Sequence, residues 1–176
     1  MPVIKINRKV FSDYGFYDIS HNVTGSLTLS SRTNVFLDSG VLVGPGDYKL
    51  FTYGSLSLQN SLTVRTAFNI SSSNPIYEGY AEATGNAIYA KVYNTSNIIK
   101  DHVQTIDNGT LTIAGPTTIE LDTALFNTAG KYAIFDYRLG DFSGNLSDLT
   151  VTISGSTSLT PSAPVIEGPY IVTTLS

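Results

Sequence analysis

The residues that could carry catalytic chemistry in this sequence are few and isolated. Nucleophilic catalysis by serine needs a base beside the nucleophile, and the chain has two histidines, His21 and His102. His21 lies in a predicted Ser-His-Asn turn and His102 in a polar segment between two repeats, so both are interpreted as exposed and without a catalytic role. Cysteine is absent and the two histidines lack the spacing of a zinc site. The sequence therefore favours a protein that is not an enzyme.

Acidic side chains suggest two further kinds of chemistry. Asp136, Asp141 and Asp148 bracket a predicted glycine-rich loop that could hold calcium, although their spacing matches no defined calcium loop and solvated turn acids are the simpler interpretation. Paired carboxylates could also serve a β-fold glycoside hydrolase. Asp38 and Asp122, however, recur at equivalent positions of a repeat, which indicates a shared role as turn caps. No metal or cofactor is expected.

Two aromatic clusters could bind a partner. Tyr14, Phe16 and Tyr17 lie in DYGFYD, and Tyr77 and Tyr80 lie in PIYEGY. Exposed tyrosine rings stack on sugars and are enriched at the centres of protein interfaces. These clusters leave carbohydrate and protein open as alternative partners.

Charge is sparse in this chain. Charged residues make up 14% of the sequence, against about a quarter in typical soluble domains. The net charge of −4 argues against a protein that neutralises many phosphates of a nucleic acid. No run approaches the ~20 apolar residues of a membrane-spanning helix. The first ten residues, MPVIKINRKV, are not expected to form a signal peptide, because charges interrupt the apolar residues.

A tandem repeat organises the chain. Residues 25–53 and 109–137 align without gaps at an offset of 84, with ten identities in 29 positions. The matched residues include two pairs of tyrosines, Tyr48 with Tyr132 and Tyr53 with Tyr137. Further on, SLTVRTAFNI aligns with DLTVTISGS after a predicted three-residue insertion in the second copy, and GNAIYAKV corresponds weakly to GPYIVTTL.

Apolar and polar residues alternate within each copy, which predicts β-strands. The run from Leu62 to Ile70 shows this alternation and is interpreted as a strand with one wet face. Residues 48–53 and 132–137 carry apolar side chains on both sides, so each is predicted to be a central strand buried on both faces. Glycine, proline and asparagine mark turns at short spacing between the strands.

These patterns predict an all-β chain of two tandem, related β-sandwich or jelly-roll-like units, with a short β-solenoid as the alternative. The expected organisation is an N-terminal arm or strand at 1–24 and a first β unit at 25–93. A linker at 94–108 and a second β unit at 109–176 are expected to follow.

The segments DYKLFTYGSLSLQNSLTV and KYAIFDYRLGDFSGNLSDLTV resemble repeats of autotransporter-type passenger β-solenoids. The whole chain is more similar to small bacteriophage virion proteins that decorate or cement a capsid. The similarity lies in its sparse charge, its lack of cysteine, its duplicated β units and its slightly basic N-terminus. The similarity implies a homotrimer that binds the major capsid protein or another virion protein. It also implies a location at the virion surface, with assembly in the host cytoplasm.

The first function hypothesis is therefore a viral structural protein that stabilises a capsid or tail surface by binding between subunits. The alternative is an adhesin or carbohydrate-binding module. The anchoring contact is expected in residues 1–24, where basic side chains would meet an acidic surface and apolar ones would add a strand to a partner. The residues predicted to bind the partner are Ile4, Lys5, Ile6, Arg8, Lys9, Phe11, Tyr14 and Tyr17. Neither nucleic acid nor a membrane is expected as a partner.

Overall fold

The computed structural model describes residues 3–6, 16–38 and 44–176, with side chains for 22–38, 44–107 and 109–176. Contacts within the chain divide it into two units, unit 1 at Met1–Ser96 and unit 2 at Asn97–Ser176. The division falls inside the range predicted as a linker. Each unit contains one copy of the sequence repeat.

Unit 1 alternates between two sheets. Its elements are β1 Val3–Ile6, β2 Phe16–Leu29, β3 Thr33–Leu37, β4 Gly46–Leu58, α1 Val64–Ala67, β5 Phe68–Ser72, β6 Tyr77–Thr84 and β7 Ala87–Asn94. Strand β3 pairs in parallel with β1 and β5, and β2 pairs in parallel with β4. Strand β4 also pairs antiparallel with β7, which forms a hairpin with β6. From β1 to β5 the chain visits the two sheets in turn, which is the path of a β-solenoid.

The strands of unit 2 are β8 Ile98–Ile99, β9 Gln104–Ile113, β10 Thr117–Asp122, β11 Gly130–Gly144, β12 Leu149–Ser154, β13 Val165–Glu167 and β14 Tyr170–Leu175, with a short 3₁₀ turn at Leu146–Asp148. Unit 2 follows the same alternating path from β9 to β12. Strand β11 pairs in parallel with β8 and β9, and β10 pairs in parallel with β12. Strand β14 pairs antiparallel with β11 and forms a hairpin with β13.

The all-β prediction is confirmed, in the form of the β-solenoid that was the predicted alternative. The solenoid-like arrangement has about four turns, counted over the two units. The preferred sandwich was wrong, because a sandwich of this kind consists of antiparallel neighbours, whereas successive turns here pair in parallel. Alternation of apolar residues identifies the buried face of a strand but carries no information about the direction of its neighbour.

The first pair of repeated tyrosines makes the same hydrogen bond in both units. The hydroxyl of Tyr48 donates to the carbonyl of Gly44 over 2.7 Å. The hydroxyl of Tyr132 donates to the carbonyl of Thr128 over 3.0 Å. Both rings are buried, so their hydroxyl groups need a partner inside the protein. The repeated residue therefore has a structural role at the start of β4 and of β11.

The second pair of tyrosines holds a hairpin turn in each unit. The hydroxyls of Tyr53 and Tyr137 each donate over 3.2 Å to a glycine carbonyl, that of Gly85 or Gly168. These glycines have φ angles of 60° and 59°, as the first position of a tight two-residue hairpin turn requires. The weak correspondence of GNAIYAKV with GPYIVTTL is thereby confirmed, because the two segments form equivalent turns and strands.

Strand β4 is central and buried, as predicted, but not because it has two buried faces. Tyr48, Leu50, Phe51 and Tyr53 are all at most 8% exposed and belong to one core. The pairing of β4 with β7 shifts between Lys49 and Phe51, which marks a bulge. A bulge adds one unpaired residue to the strand, so the alternation of side chains between the two faces shifts by one residue there. Both pairs, Tyr48 with Leu50 and Phe51 with Tyr53, therefore face the same core.

Strand β11 matches the prediction of two buried faces more closely. Tyr132 and Ile134 pack with Leu121 and Val151 in one cluster. Ala133, between them in sequence, packs in a separate cluster with the buried residues of β8 and β14. Alternate residues of this strand are thus covered on each side.

The predicted strand from Leu62 to Ile70 is wrong in its first half. Thr63 begins helix α1, because its hydroxyl accepts a hydrogen bond from the backbone N–H of Thr66, and the strand β5 begins only at Phe68. Phe68 pairs with Thr33 as Leu149 pairs with Thr117. Phe68 lies 15 residues after Tyr53, whereas the equivalent Leu149 lies 12 residues after Tyr137. This segment is therefore three residues shorter in the second copy, and the predicted three-residue insertion there is wrong.

Candidate binding surfaces

An open cavity of about 430 Å³ lies at one side of unit 1, and we call it the polar cavity. Its lining consists of Asn22, Val23, Thr24, Thr52, Tyr53, Gly54 and Asn86. No charged residue is among them. The volume falls in the range of about 300–1,000 Å³ that is typical of small-molecule sites.

Three separate segments form the polar cavity. The register of β2 against β4 shifts between Val23 and Ser26, so β2 bulges next to Gly54. The hairpin turn before β7 closes the cavity on another side, because the backbone N–H of Tyr53 donates to the carbonyl of Asn86 over 2.9 Å. Asn22 and Thr52 are paired in the register of β2 and β4, and the hydroxyl of Thr52 donates to the side-chain oxygen of Asn22 over 3.1 Å.

Equivalent positions of unit 2 hold a buried ion pair. The repeat relates Thr52 to Asp136 and Gly54 to Arg138. Arg138 Nε donates to Asp136 Oδ2 over 2.7 Å, and Arg138 Nη2 donates to the hydroxyl of Tyr170 over 2.6 Å. Asp136 is 4% exposed and Tyr170 is fully buried. Tyr170 stands opposite Asp136 in the sheet, where unit 1 has an alanine opposite Thr52.

A second surface is the outer strand β13, where Val165 and Ile166 are each 48% exposed. We call these two residues the edge patch. Strand β13 pairs with β14 and with no other strand of the described part of the chain. The neighbouring Glu167 is engaged, since its carboxylate lies 2.5 Å from Lys131 Nζ. The edge patch is therefore apolar and accessible.

The residues predicted to bind a partner fall into two groups. Four lie on strands: the register pairs Ile4, Lys5 and Ile6 of β1 with β3, and Tyr17 of β2 with β4. The others, Arg8, Lys9, Phe11 and Tyr14, lie outside the described residues. Strand β1 is the outer strand of the sheet β1–β3–β5. A variant without residues 2–11 would therefore lack strand β1 of unit 1 as well as the predicted contact with a partner.

The tyrosines of PIYEGY are engaged within unit 1. Tyr77 is half-buried and packs against the core. The ring of Tyr80 lies 5.8 Å from that of Tyr93, and the guanidinium carbon of Arg65 lies 3.8 Å above the Tyr80 ring. Neither ring forms an open stacking platform. The two hydroxyls of Tyr80 and Tyr93 are 3.2 Å apart and share a hydrogen bond.

The pKa values of Tyr93 and Lys91 are both raised in this cluster. Burial raises the pKa of Tyr93, and the hydrogen bond to Tyr80 adds to the effect. For Lys91, burial by itself lowers the pKa, but the carboxylates of Asp47 and Glu82, 2.5 and 3.6 Å from its ammonium, together raise it above its usual value.

Alkaline pH is therefore expected to destabilise unit 1 through these two groups. Both bind their protons more tightly in the folded chain, so their stabilising contribution is complete below about pH 10 and is lost as the pH rises further. Urea unfolding at a series of pH values should show the fall. The Tyr93→Phe variant should lose less stability than the wild type over the same pH range, and an equal loss would contradict the assignment.

The histidines and acids differ in part from their interpretation. His102 is exposed, as expected, with its ring 5.4 Å from that of Phe126, but His21 lies within strand β2 and not in a turn. Asp136 and Asp141 lie in strand β11 and Asp148 ends the 3₁₀ turn that follows it, so the three acids do not bracket one loop. The buried Asp136 is not a solvated turn acid. Within the described ranges, no group of three His, Asp or Glu residues is arranged to hold a metal.

The prediction of turn-capping aspartates is confirmed for Asp122. Its side-chain oxygen accepts a hydrogen bond from the backbone N–H of Ala124 over 2.8 Å. The residues that follow Asp38, the equivalent position in unit 1, lie outside the described part of the chain.

The comparisons with known proteins add no relative to this description. No family model, curated protein or solved structure matches the chain. Among the described residues, no helix has both the length and the apolar character needed to cross a membrane.

Proposed function

We propose that this chain is a non-enzymatic structural protein that decorates the surface of a larger protein assembly, with the edge patch as its contact. In this proposal the assembly is a bacteriophage capsid or tail. The partner is the major capsid protein or another virion protein, and the chain acts as a homotrimer at the virion surface.

The apolar edge of β13 is the observation that carries the proposal. Natural proteins usually protect a sheet edge with charges or cover it, because an open edge accepts strands of other chains. Val165 and Ile166 are exposed there, and the adjacent charge of Glu167 is directed to Lys131. Val165 and Ile166 are consecutive and so face opposite sides of the sheet. An extended segment of a shell subunit beside β13 would pair with its backbone, and side chains of that segment would cover one of the two residues on each side.

The energy of such a contact is modest for one copy. Full burial of a valine or isoleucine side chain contributes about 1.5–3 kcal/mol, so covering the exposed halves of both adds about 2 kcal/mol. In a homotrimer three edges would bind at once, and the linkage multiplies the affinity. This supports a protein that is weakly bound as a monomer and firmly bound as an oligomer on a repetitive surface.

The test is sedimentation of the purified full chain with phage shells that have been prepared without it. Saturable binding is expected for the wild type. The double variant Val165→Ser/Ile166→Ser should bind at least about 10-fold more weakly, which corresponds to 1.4 kcal/mol. The variant should also lose about 2 kcal/mol of folding stability, because about half of each side chain is buried, so binding is compared at a temperature at which circular dichroism shows both proteins to be folded.

Leu125→Ser is the matched control. Leu125 is 50% exposed and lies in the segment between β10 and β11, away from the edge strand in sequence. This variant should bind as the wild type does. Absence of binding by the wild type would refute the decoration function, and equal binding by the double variant would refute the edge patch as its contact.

A further inference from the structure

We infer that the polar cavity of unit 1 is a binding site for a neutral, hydroxyl-rich ligand of the carbohydrate class, and that the equivalent place in unit 2 is closed. This function is separate from the surface contact through the edge patch. The proposal of ligand binding in the polar cavity and that of surface decoration through the edge patch are independent, so either can be correct if the other is wrong.

The lining of the polar cavity determines the class of ligand. Amide and hydroxyl groups of Asn22, Thr24, Thr52 and Asn86 supply neutral donors and acceptors. The apolar part of the lining is small, because Tyr53 is 8% exposed and Val23 packs against the core of unit 1, and the hydroxyl of Tyr53 is bound to the carbonyl of Gly85. A phosphate or carboxylate would find no opposite charge among the lining residues. A sugar presents hydroxyl groups and apolar C–H faces, which match both parts of the lining.

Gly54 keeps the polar cavity open. The residue is exposed, and its lack of a side chain leaves the space between the β2 bulge and the hairpin turn. A Cβ atom at this position would lie 3.1 Å from the carbonyl oxygen of Gly25, so even a small side chain would be crowded. The Thr52–Asn22 hydrogen bond fixes polar groups at the same opening.

Unit 2 provides an internal comparison. At the position of Gly54 it carries Arg138, whose guanidinium binds both Asp136 and Tyr170. Three larger side chains, Asp136, Arg138 and Tyr170, thus stand where unit 1 has Thr52, Gly54 and Ala87. They satisfy one another, so this place offers a ligand neither space nor free donors of the kind found in unit 1. One ligand per chain follows from this difference.

The experiment uses the full-length chain with an array of neutral and acidic glycans, followed by calorimetric titration of a neutral oligosaccharide that binds. We expect neutral glycans to bind, with one site per chain. The variant Asn22→Ala/Thr52→Ala should bind about 10–100-fold more weakly, because each lost hydrogen bond to a neutral group contributes about 1 kcal/mol.

Two further variants separate the site from the fold. Asn69→Ala removes an amide from a similar pair of neighbouring strands, since the half-buried Asn69 donates to Asn34 over 3.0 Å outside the cavity, and should bind as the wild type does. Thr52→Asp/Gly54→Arg introduces two of the three unit 2 side chains and should abolish binding, with circular dichroism as the check that the chain remains folded. If no neutral glycan binds the wild type, or if this double variant still binds with one site, the inference is wrong.

Discussion

Replacing Phe68 by alanine is expected to lower the free energy of unfolding by about 4 kcal/mol, the middle of the range for a buried aromatic residue. Phe68 is fully buried at the junction of α1 and β5, and its ring stacks on Phe51 at 5.7 Å. The loss combines the transfer energy of the ring with the cavity left behind. Urea unfolding followed by tyrosine fluorescence is suitable, because the chain has 11 tyrosines and no tryptophan.

Two control variants define the origin of that loss. Phe68→Leu introduces the residue type that unit 2 carries at Leu149, and should cost less than about 1.5 kcal/mol because most of the volume is kept. Ile76→Ala removes a side chain that is 36% exposed and should cost less than Phe68→Ala. A similar small loss for all three variants would mean that Phe68 is not a centre of the core.

Replacing Arg138 by methionine is expected to lower the free energy of unfolding by about 3 kcal/mol, since removing one partner leaves the buried carboxylate of Asp136 without its counter-ion. This loss is at the low end of the range of about 3–5 kcal/mol for removing one partner of a buried ion pair, because the Arg138 side chain is 23% exposed. The hydroxyl of Tyr170 loses its donor at the same time. Urea unfolding under the same conditions measures the effect.

Lys131→Met is the matched control for this prediction. It breaks the ion pair with Glu167, in which both side chains are about a quarter to a third exposed, and should cost at most about 1 kcal/mol. The double variant Asp136→Asn/Arg138→Met should recover part of the loss, because no charge is left buried. Equal losses for the Arg138 and Lys131 variants would show that burial of Asp136 is unimportant.

Several elements could be predicted from the sequence because local patterns determine them. The gap-free repeat from 25–53 to 109–137 places the starts of β3 and β10, and of β4 and β11, at the same offset of 84. The two central strands were identified from their apolar residues. The glycines at the hairpin turns marked positions that need a positive φ.

Other elements could not be predicted because a competing local interaction decided them. The alternation from Leu62 to Ile70 indicated one strand, but the reciprocal hydrogen bonds of Thr63 and Thr66 begin a helix within it. The bulge in β4 was likewise hidden, since the sequence shows apolar residues on both sides of the strand but not where the pairing shifts.

Most residues of the candidate binding surfaces could not be predicted from the sequence. The polar cavity joins residues 22–24, 52–54 and 86, which are far apart in the chain and carry no motif. The one available signal was the difference between repeats, because the second copy has charged residues where the first has Thr52 and Gly54. Tyr77 and Tyr80, which the sequence suggested as a stacking platform, are instead packed inside unit 1.

The sequence by itself determined that the chain is all-β, that it contains two copies of one unit, and that each copy has a buried central strand. Alternation and turn residues act over a few residues, and the internal similarity can be found by aligning the sequence with itself. Only the tertiary structure decided that successive turns pair in parallel, and that one copy keeps an open cavity where the other buries an ion pair. Those features depend on which distant strands become neighbours, and side-chain periodicity is the same for either choice.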